Sequence, residues 1–211
     1  SLTANRVLGA LAGVAVTLAF QSSTATVTLL VGMASAGILG LSQALGVVLG
    51  ADLGTTVTVQ LLSFRLFDYA LIVAVIGFVL MNAARRLKNL GQAVFGFGLV
   101  FWSLRVVLEA SAPLQYIPEV GVAVARIGNA PLAALAFATL LTALLRSSAA
   151  TIGMIVGLSF AGLVDLRAAI PFILGANLGT TANALVASWR GGTEARRIAT
   201  GHVLFKVLTV G

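Results

Sequence analysis

The sequence Gln21-Ser22-Ser23-Thr24 interrupts a long apolar stretch, and Arg146-Ser147-Ser148-Ala149 interrupts another one 125 residues later. A second pair of motifs follows at the same offset, Gly50-Ala-Asp-Leu-Gly-Thr-Thr56 and Gly175-Ala-Asn-Leu-Gly-Thr-Thr181. An ungapped comparison of residues 21–56 with residues 146–181 gives 17 identities in 36 positions. Chance similarity between apolar segments would not preserve the polar interruptions, so the chain contains an internal repeat.

The composition places this repeat in a membrane. Of the 211 residues, 59% are hydrophobic and 9% are charged, whereas about 25% are charged in an ordinary soluble domain. That leaves too little polar surface to cover a water-soluble globule, which excludes a soluble enzyme, a nucleic-acid-binding protein and a disordered chain. The chain has no cysteine and one histidine, and no acid–base pair or nucleophile set is visible, so we do not expect an enzyme.

We predict an all-α integral membrane protein with inverted repeats, each containing a re-entrant helical hairpin and a broken transmembrane helix. The first repeat, residues 1–125, is predicted to contain a hairpin (7–39), a broken helix (41–64) and two spans (69–84 and 90–108). The second repeat, residues 126–211, is incomplete and is predicted to contain a hairpin (130–164), a broken helix (168–189) and a last segment (198–211). Its shortness suggests a fragment, a short paralogue or a trimmed chain.

The predicted number of times that the chain crosses the membrane between the two Ser-Ser segments indicates that the repeats are inverted. A broken helix and two spans separate them, and an odd number of crossings reverses the orientation of the second copy. Inverted repeats with discontinuous helices are typical of secondary transporters. Basic residues support this arrangement, because the crossing count places two clusters and Arg6 on one side, which the positive-inside rule makes cytoplasmic. These clusters are Arg85, Arg86 and Lys88, and Arg190, Arg196 and Arg197.

Each Ser-Ser tip has the chemistry of an oxyanion site. A helix N-terminus presents free N–H groups and partial positive charge to an anion, and the serines add hydroxyls. Two tips that enter from opposite sides would hold a small oxyanion between them near the midplane. The alternative is that these small residues only allow close helix packing.

Four ionisable residues within or beside apolar segments are assessed in the same way. Asp52 is ionisable in mid-span, and with its repeat partner Asn177 it would suit a cation such as Na⁺, unless it only caps a half-helix. Arg146 binds the anion, forms a structural pair with Asp52, or extends its charge to the membrane surface if the tip is shallow. We expect His202 to be a packed residue rather than a proton carrier, and Lys206 to lie near a cavity or at the cytoplasmic boundary.

These motifs resemble the type II Na⁺/phosphate cotransporter family, and most closely its bacterial branch, some members of which carry a PhoU-like cytoplasmic domain. The resemblance implies a multi-pass secondary transporter of a bacterial inner (plasma) membrane that moves inorganic phosphate coupled to Na⁺. The phosphate-binding residues that it implies are Gln21, Ser22, Ser23, Thr24, Ser147 and Ser148. We add Arg146 from its own chemistry, because a guanidinium matches phosphate well. The Na⁺-binding residues that we predict are Asp52, Thr55, Thr56, Asn177, Thr180 and Thr181.

Three positions depart from the family pattern: Arg146 stands for Gln, Ala149 for Ser or Thr, and Lys206 for Asn. No PhoU-like domain is present in the sequence. Two other functions stay open, a passive anion channel and a non-transporting membrane partner of a cytoplasmic PhoU-like regulator. The expected partners are inorganic phosphate, Na⁺ as coupling ion, membrane lipid and a PhoU-like protein, with no cofactor and no nucleic acid.

Overall fold

The computed structural model describes residues 5–63, 66–83 and 85–210, and the regular elements in these ranges are helical. Short 3₁₀ turns join several of the α-helices. The α-helices are α1 (Arg6–Phe20), α2 (Ser23–Ser35), α3 (Leu41–Ser63), α4 (Ala70–Ala83), α5 (Lys88–Ser111), α6 (Pro118–Gly128), α7 (Pro131–Leu145), α8 (Ser148–Phe160), α9 (Leu166–Gly179), α10 (Thr181–Ser188) and α11 (Thr193–Val210).

The two Ser-Ser segments form the turns of two helical hairpins. Helix α1 ends where Gln21 adopts a left-handed backbone conformation (φ 51°), and the Ser22 side chain then caps α2. Helix α7 ends in the same way at Arg146 (φ 57°), and Ser147 caps α8. The repeated sequence therefore produces the same cap-and-turn geometry in both halves of the chain.

The prediction of a broken helix in the first half is wrong, because α3 runs without interruption through Gly50–Thr56. The hydroxyl of Thr55 donates to the carbonyl of Ala51, and that of Thr56 to Asp52, so these polar groups are satisfied inside the helix. In the second half, α9 ends at Gly179 and α10 begins at Thr181. Thr180 between them keeps helical dihedral angles (φ −63°, ψ −25°), so this interruption is a kink rather than an unwound segment.

The glycines of the second motif pair serve close packing rather than unwinding. A Cβ on Gly50 would overlap the backbone of Ala10 in α1, and a Cβ on Gly175 would overlap the carbonyl of Leu135 in α7. Helix α3 therefore packs backbone to backbone along α1, and α9 packs in the same way along α7. This close approach of helices through small residues is common in membranes.

Two described helical stretches are long and apolar enough to cross a membrane, Arg85–Tyr116 and Leu166–Ser188. A third exists if α6 and α7, which meet at 114°, count as one bent span. Helix α4 has 14 residues and is shorter than the span predicted over 69–84, whose last residue lies outside the described ranges. Large apolar side chains such as Leu132 (83% exposed) and Leu208 (80%) cover the surface, as expected where lipid is the solvent.

The two halves of the chain interlock through their second hairpin helices. Apolar side chains of α2 and α3 form one core with those of α10 and α11. Helix α8 packs against α5 in a second core and against α7 and α9 in a third. This interlocking brings the N-terminal ends of α2 and α8 towards each other.

Candidate functional site

The tips of the two hairpins share one cleft. Six of the seven residues predicted to bind phosphate line it, together with Thr17, Thr55 and Ala149. The six are Gln21, Ser22, Ser23, Thr24, Ser147 and Ser148. Residues that are 125 positions apart in the sequence thus face the same space.

The four serines of the cleft have two different roles. The Oγ atoms of Ser22 and Ser147 accept hydrogen bonds from the N–H groups of Ala25 (3.1 Å) and Ala150 (3.2 Å). The hydroxyls of Ser23 and Ser148 make no hydrogen bond to any described residue, although the two residues are only 7% and 6% exposed. Ser23 and Ser148 therefore provide hydroxyls that are free to bind a ligand.

Backbone N–H groups add donors on both sides of the cleft. The first N–H groups of a helix have no acceptor inside the helix. In α2 and α8 the serine caps bond the N–H groups of Ala25 and Ala150. The first two residues of each helix, Ser23 and Thr24 and their equivalents Ser148 and Ala149, all line the cleft. The positive ends of two helix dipoles thus meet at one place, which favours an anion.

Gln21 closes the first tip in a constrained geometry. Gln21 and Arg146 are the only described residues other than glycine with a positive φ, a conformation that costs about 1–2 kcal/mol for a residue with a Cβ. The Nε2 of Gln21 donates to the carbonyl of Leu18 (2.7 Å), and its Oε1 is buried without a hydrogen-bond partner among the described residues. An unpaired buried acceptor beside the cleft is a group that a cation or a bound donor would satisfy.

Arg146 is not among the residues that line the cleft, and its role as a phosphate ligand stays a prediction. Its Nε donates to Oδ1 of Asn183 in α10 (2.8 Å), which directs the side chain towards the neighbouring helix. The predicted alternative, a pair with Asp52, does not form either, because Asp52 pairs with Lys206. Asn183 was missed in the sequence because it lies two residues beyond the repeated motif.

No residue that lines the cleft carries a formal charge. The enclosed space measures about 20 Å³, which is about the volume that one water needs. This space is too small for a tetrahedral oxyanion of five heavy atoms such as phosphate.

The six residues predicted to bind Na⁺ do not converge on a single site. Thr55 lines the cleft, whereas the side-chain oxygens of Asp52 and Asn177 both lie 2.7 Å from the ammonium nitrogen of Lys206. The hydroxyls of Thr180 and Thr181 donate to carbonyls of their own helix turn, at Asn177 and Leu178. The Thr56 hydroxyl, as described above, bonds within α3.

Two threonine pairs close the hairpins, and the sequence analysis missed them. The hydroxyls of Thr17 and Thr26 lie 2.9 Å apart, and those of Thr142 and Thr151 lie 2.8 Å apart. All four residues are at most 1% exposed. The pairs occupy equivalent positions at the 125-residue offset, so extending the repeat comparison before residue 21 would have found Thr17 and Thr142.

The chain matches a known protein family over most of its length. The sequence model of the family described as Na⁺/Pi-cotransporter matches residues 1–109 and 117–210. The chain belongs to this family. The resemblance inferred from the motifs is therefore confirmed, and the family is one of transporters rather than enzymes.

Bacterial relatives of the Na⁺/Pi-cotransporter family match most of the chain. YqeW of Bacillus subtilis (strain 168), whose name assigns no function, is 30% identical over 192 residues, which are 90% of this chain and 62% of YqeW. YjbB of Escherichia coli (strain K12), named as a candidate inorganic phosphate export protein, is 31% identical over 199 residues, which are 93% of this chain and 37% of YjbB. The chain thus spans less than two thirds of either relative.

A mammalian relative matches a shorter part. The sodium-dependent phosphate transport protein 2A of Rattus norvegicus is 38% identical over 86 residues, which are 38% of this chain and 14% of that protein. No solved structure matches the chain significantly.

Proposed function

We propose that this chain carries inorganic phosphate across a bacterial inner membrane and that Na⁺ drives the transport. The observation that carries the proposal is the single cleft that the Ser-Ser tips of both halves line. The cleft offers hydroxyl and N–H donors from two helix ends, and these groups match the acceptor oxygens of phosphate. Family membership and the phosphate named for YjbB and for the rat protein support the same substrate.

The inverted orientation of the two hairpins gives the proposed route. The first hairpin enters from the cytoplasmic side and the second from outside, so a phosphate between the tips is reached from either side when one hairpin moves. Transporters with inverted repeats commonly expose a central site alternately in this way. The small volume of the cleft then corresponds to a closed state, in which both tips cover the site.

Na⁺ is proposed to bind at the edge of the same cleft. Gln21 Oε1 is a buried acceptor without a partner, and the Thr55 hydroxyl oxygen lies on the same lining. Oxygen atoms of this kind are the ligands that Na⁺ takes in transporters with helix interruptions. A cation beside the anion also reduces the cost of holding phosphate charge in the membrane.

The test is uptake of radiolabelled phosphate into proteoliposomes that contain the purified chain. We expect uptake to rise when an inward Na⁺ gradient replaces a choline gradient of equal strength. The Ser23→Ala/Ser148→Ala variant, reconstituted at the same protein density, is expected to lose uptake, because it lacks a free serine hydroxyl on each side of the cleft.

Two outcomes would favour the alternative functions. Phosphate flux that is independent of the Na⁺ gradient and abolished by the serine substitutions indicates a passive anion channel. Absence of flux in vesicles that contain correctly folded protein indicates a non-transporting membrane partner, and co-purification with a PhoU-like protein is then the next measurement.

A further inference from the structure

Lys206 joins the two copies of the Gly-Ala-(Asp/Asn)-Leu-Gly-Thr-Thr motif. Its ammonium nitrogen lies 2.7 Å from Oδ1 of Asp52 in α3 and donates to Oδ1 of Asn177 in α9, also at 2.7 Å. Asp52 and Asn177 are equivalent positions of the repeat. A single side chain of α11 therefore binds the corresponding oxygen of each half.

The Lys206 ammonium and its carboxylate partner are both largely buried. Lys206 is 2% exposed, and the Asp52 side chain is 12% exposed. A charge in such a position is costly unless an opposite charge neutralises it. No other Lys or Arg of the described residues forms an ion pair with Asp52, so the two side chains compensate each other.

The oxygens around the ammonium are those that a small cation would use. The Asp52 oxygen belongs to a charged carboxylate, and the Asn177 oxygen belongs to a neutral amide. Their helices, α3 and α9, pack in equivalent ways against α1 and α7. The second carboxylate oxygen, Asp52 Oδ2, is buried and makes no hydrogen bond to the described residues. The ring of His202 lies beside this carboxylate, with Nε2 at 3.8 Å from Asp52 Oδ1, and neither ring nitrogen forms a hydrogen bond with the part of the chain that the structure describes. More polar atoms converge here than the ammonium uses.

We propose that the Lys206 ammonium is a tethered cation that occupies a Na⁺ site between Asp52 and Asn177. The ammonium carries the same charge as Na⁺ and contacts the two side-chain oxygens that would bind Na⁺, but it cannot leave the protein. Transport by this chain therefore uses one coupling ion fewer than it would with a neutral residue at position 206. The statement on coupling rests on the proposed function, whereas the occupancy of the site does not.

The test removes the tether and measures whether Na⁺ takes its place. Lys206→Asn shortens the side chain, removes the charge and adds an amide oxygen, so it opens room for an ion. Lys206→Met is the matched control, because it removes the charge but fills similar space and offers no oxygen. Lys88 is the other lysine of the chain and is exposed, so Lys88→Asn controls for the loss of a positive charge.

The readout is the midpoint of thermal unfolding in detergent, with NaCl exchanged for choline chloride at constant ionic strength and without phosphate. For K206N we expect a saturable Na⁺-dependent rise beyond that of the parent, of about 3–6 °C at a Na⁺ concentration about ten times the dissociation constant. K206M and K88N should respond to Na⁺ as the parent does. The added substitution Asp52→Asn in K206N should remove the extra rise.

An equal Na⁺ response in K206N and the parent would overturn the proposal. If K206N unfolds during extraction, the yield of monodisperse protein becomes the readout: recovery in Na⁺ but not in choline supports the proposal, and equal loss in both contradicts it. The measurement needs neither phosphate nor transport. If K206N gains a Na⁺ response but the parent protein takes up no phosphate into proteoliposomes, the proposed function is refuted and the tethered cation is still supported.

Discussion

Gln21 and Arg146 adopt the same left-handed turn, with φ of 51° and 57°, at equivalent positions of the repeat, yet their side chains take different directions. The Gln21 amide folds back on Leu18 and lines the cleft, whereas the Arg146 guanidinium bonds to Asn183 outside the cleft lining. The backbone of the tip is therefore conserved between the halves, and the side chain at the turn is free to serve a different purpose in each half.

The first prediction concerns Arg146. Because its Nε bonds to Asn183 and the residue does not line the cleft, Arg146→Gln should change the dissociation constant of phosphate by less than about threefold. Loss of the bond to Asn183 should lower the unfolding midpoint by about 2–4 °C. Isothermal titration calorimetry and thermal unfolding of the purified variant measure these quantities. A tenfold or larger loss of affinity would instead place the guanidinium on the anion.

The second prediction separates the two roles of the tip serines. Ser23→Ala or Ser148→Ala removes a hydroxyl that makes no hydrogen bond within the described residues. Each substitution should weaken phosphate binding by about tenfold, because a hydrogen bond to a charged ligand contributes about 1.5–3 kcal/mol. The unfolding midpoint without phosphate should stay unchanged.

Substitution of the capping serines provides the comparison for this prediction. Ser22→Ala or Ser147→Ala removes a helix cap, which typically costs about 1 kcal/mol of stability. These variants should therefore have a lower midpoint of thermal unfolding as well as a weaker affinity for phosphate. If Ser23→Ala and Ser148→Ala destabilise the protein as much as the cap variants do, their hydroxyls are structural.

The third prediction tests close helix packing. A Cβ on Gly50 would overlap the backbone of Ala10, and one on Gly175 would overlap Leu135. Gly50→Ala or Gly175→Ala should therefore force the paired helices apart and destabilise the protein by about 1–3 kcal/mol. Gly32→Ala is the matched control, since a Cβ on Gly32 meets no atom within 4 Å, and alanine is the better helix former. Thermal unfolding and the yield of folded protein measure the difference, and equal effects at all three glycines would contradict the packing.

The fourth prediction concerns orientation in the membrane. The chain has no cysteine, so a single introduced cysteine reports its own location. Leu87→Cys and Trp189→Cys, each beside arginines, should react with a membrane-impermeant maleimide only after the cells are permeabilised. Tyr116→Cys, at a residue that is 80% exposed, should react in spheroplasts with intact membranes. Labelling of Leu87→Cys and Tyr116→Cys from the same side would contradict the crossing count.

The sequence by itself determined the local structure of the tips. The Ser-Ser interruptions predict where each hairpin turns, because a serine cap and a helix end depend on residues within a few positions of each other. The turns lie at Gln21–Ser22 and Arg146–Ser147, inside those interruptions. The family and the membrane environment also follow from composition and motifs.

The tertiary structure decided the features that depend on contacts between distant segments. The motif at Gly50–Thr56 looks like a helix break, but α1 packs against its glycines and α3 continues through it. Asp52 and Asn177 suggested a Na⁺ site, but the fold of α11 places Lys206 between them. A sequence motif shows which groups are available at a position, whereas the partner of a buried charge is chosen by the packing of helices that are far apart in the chain.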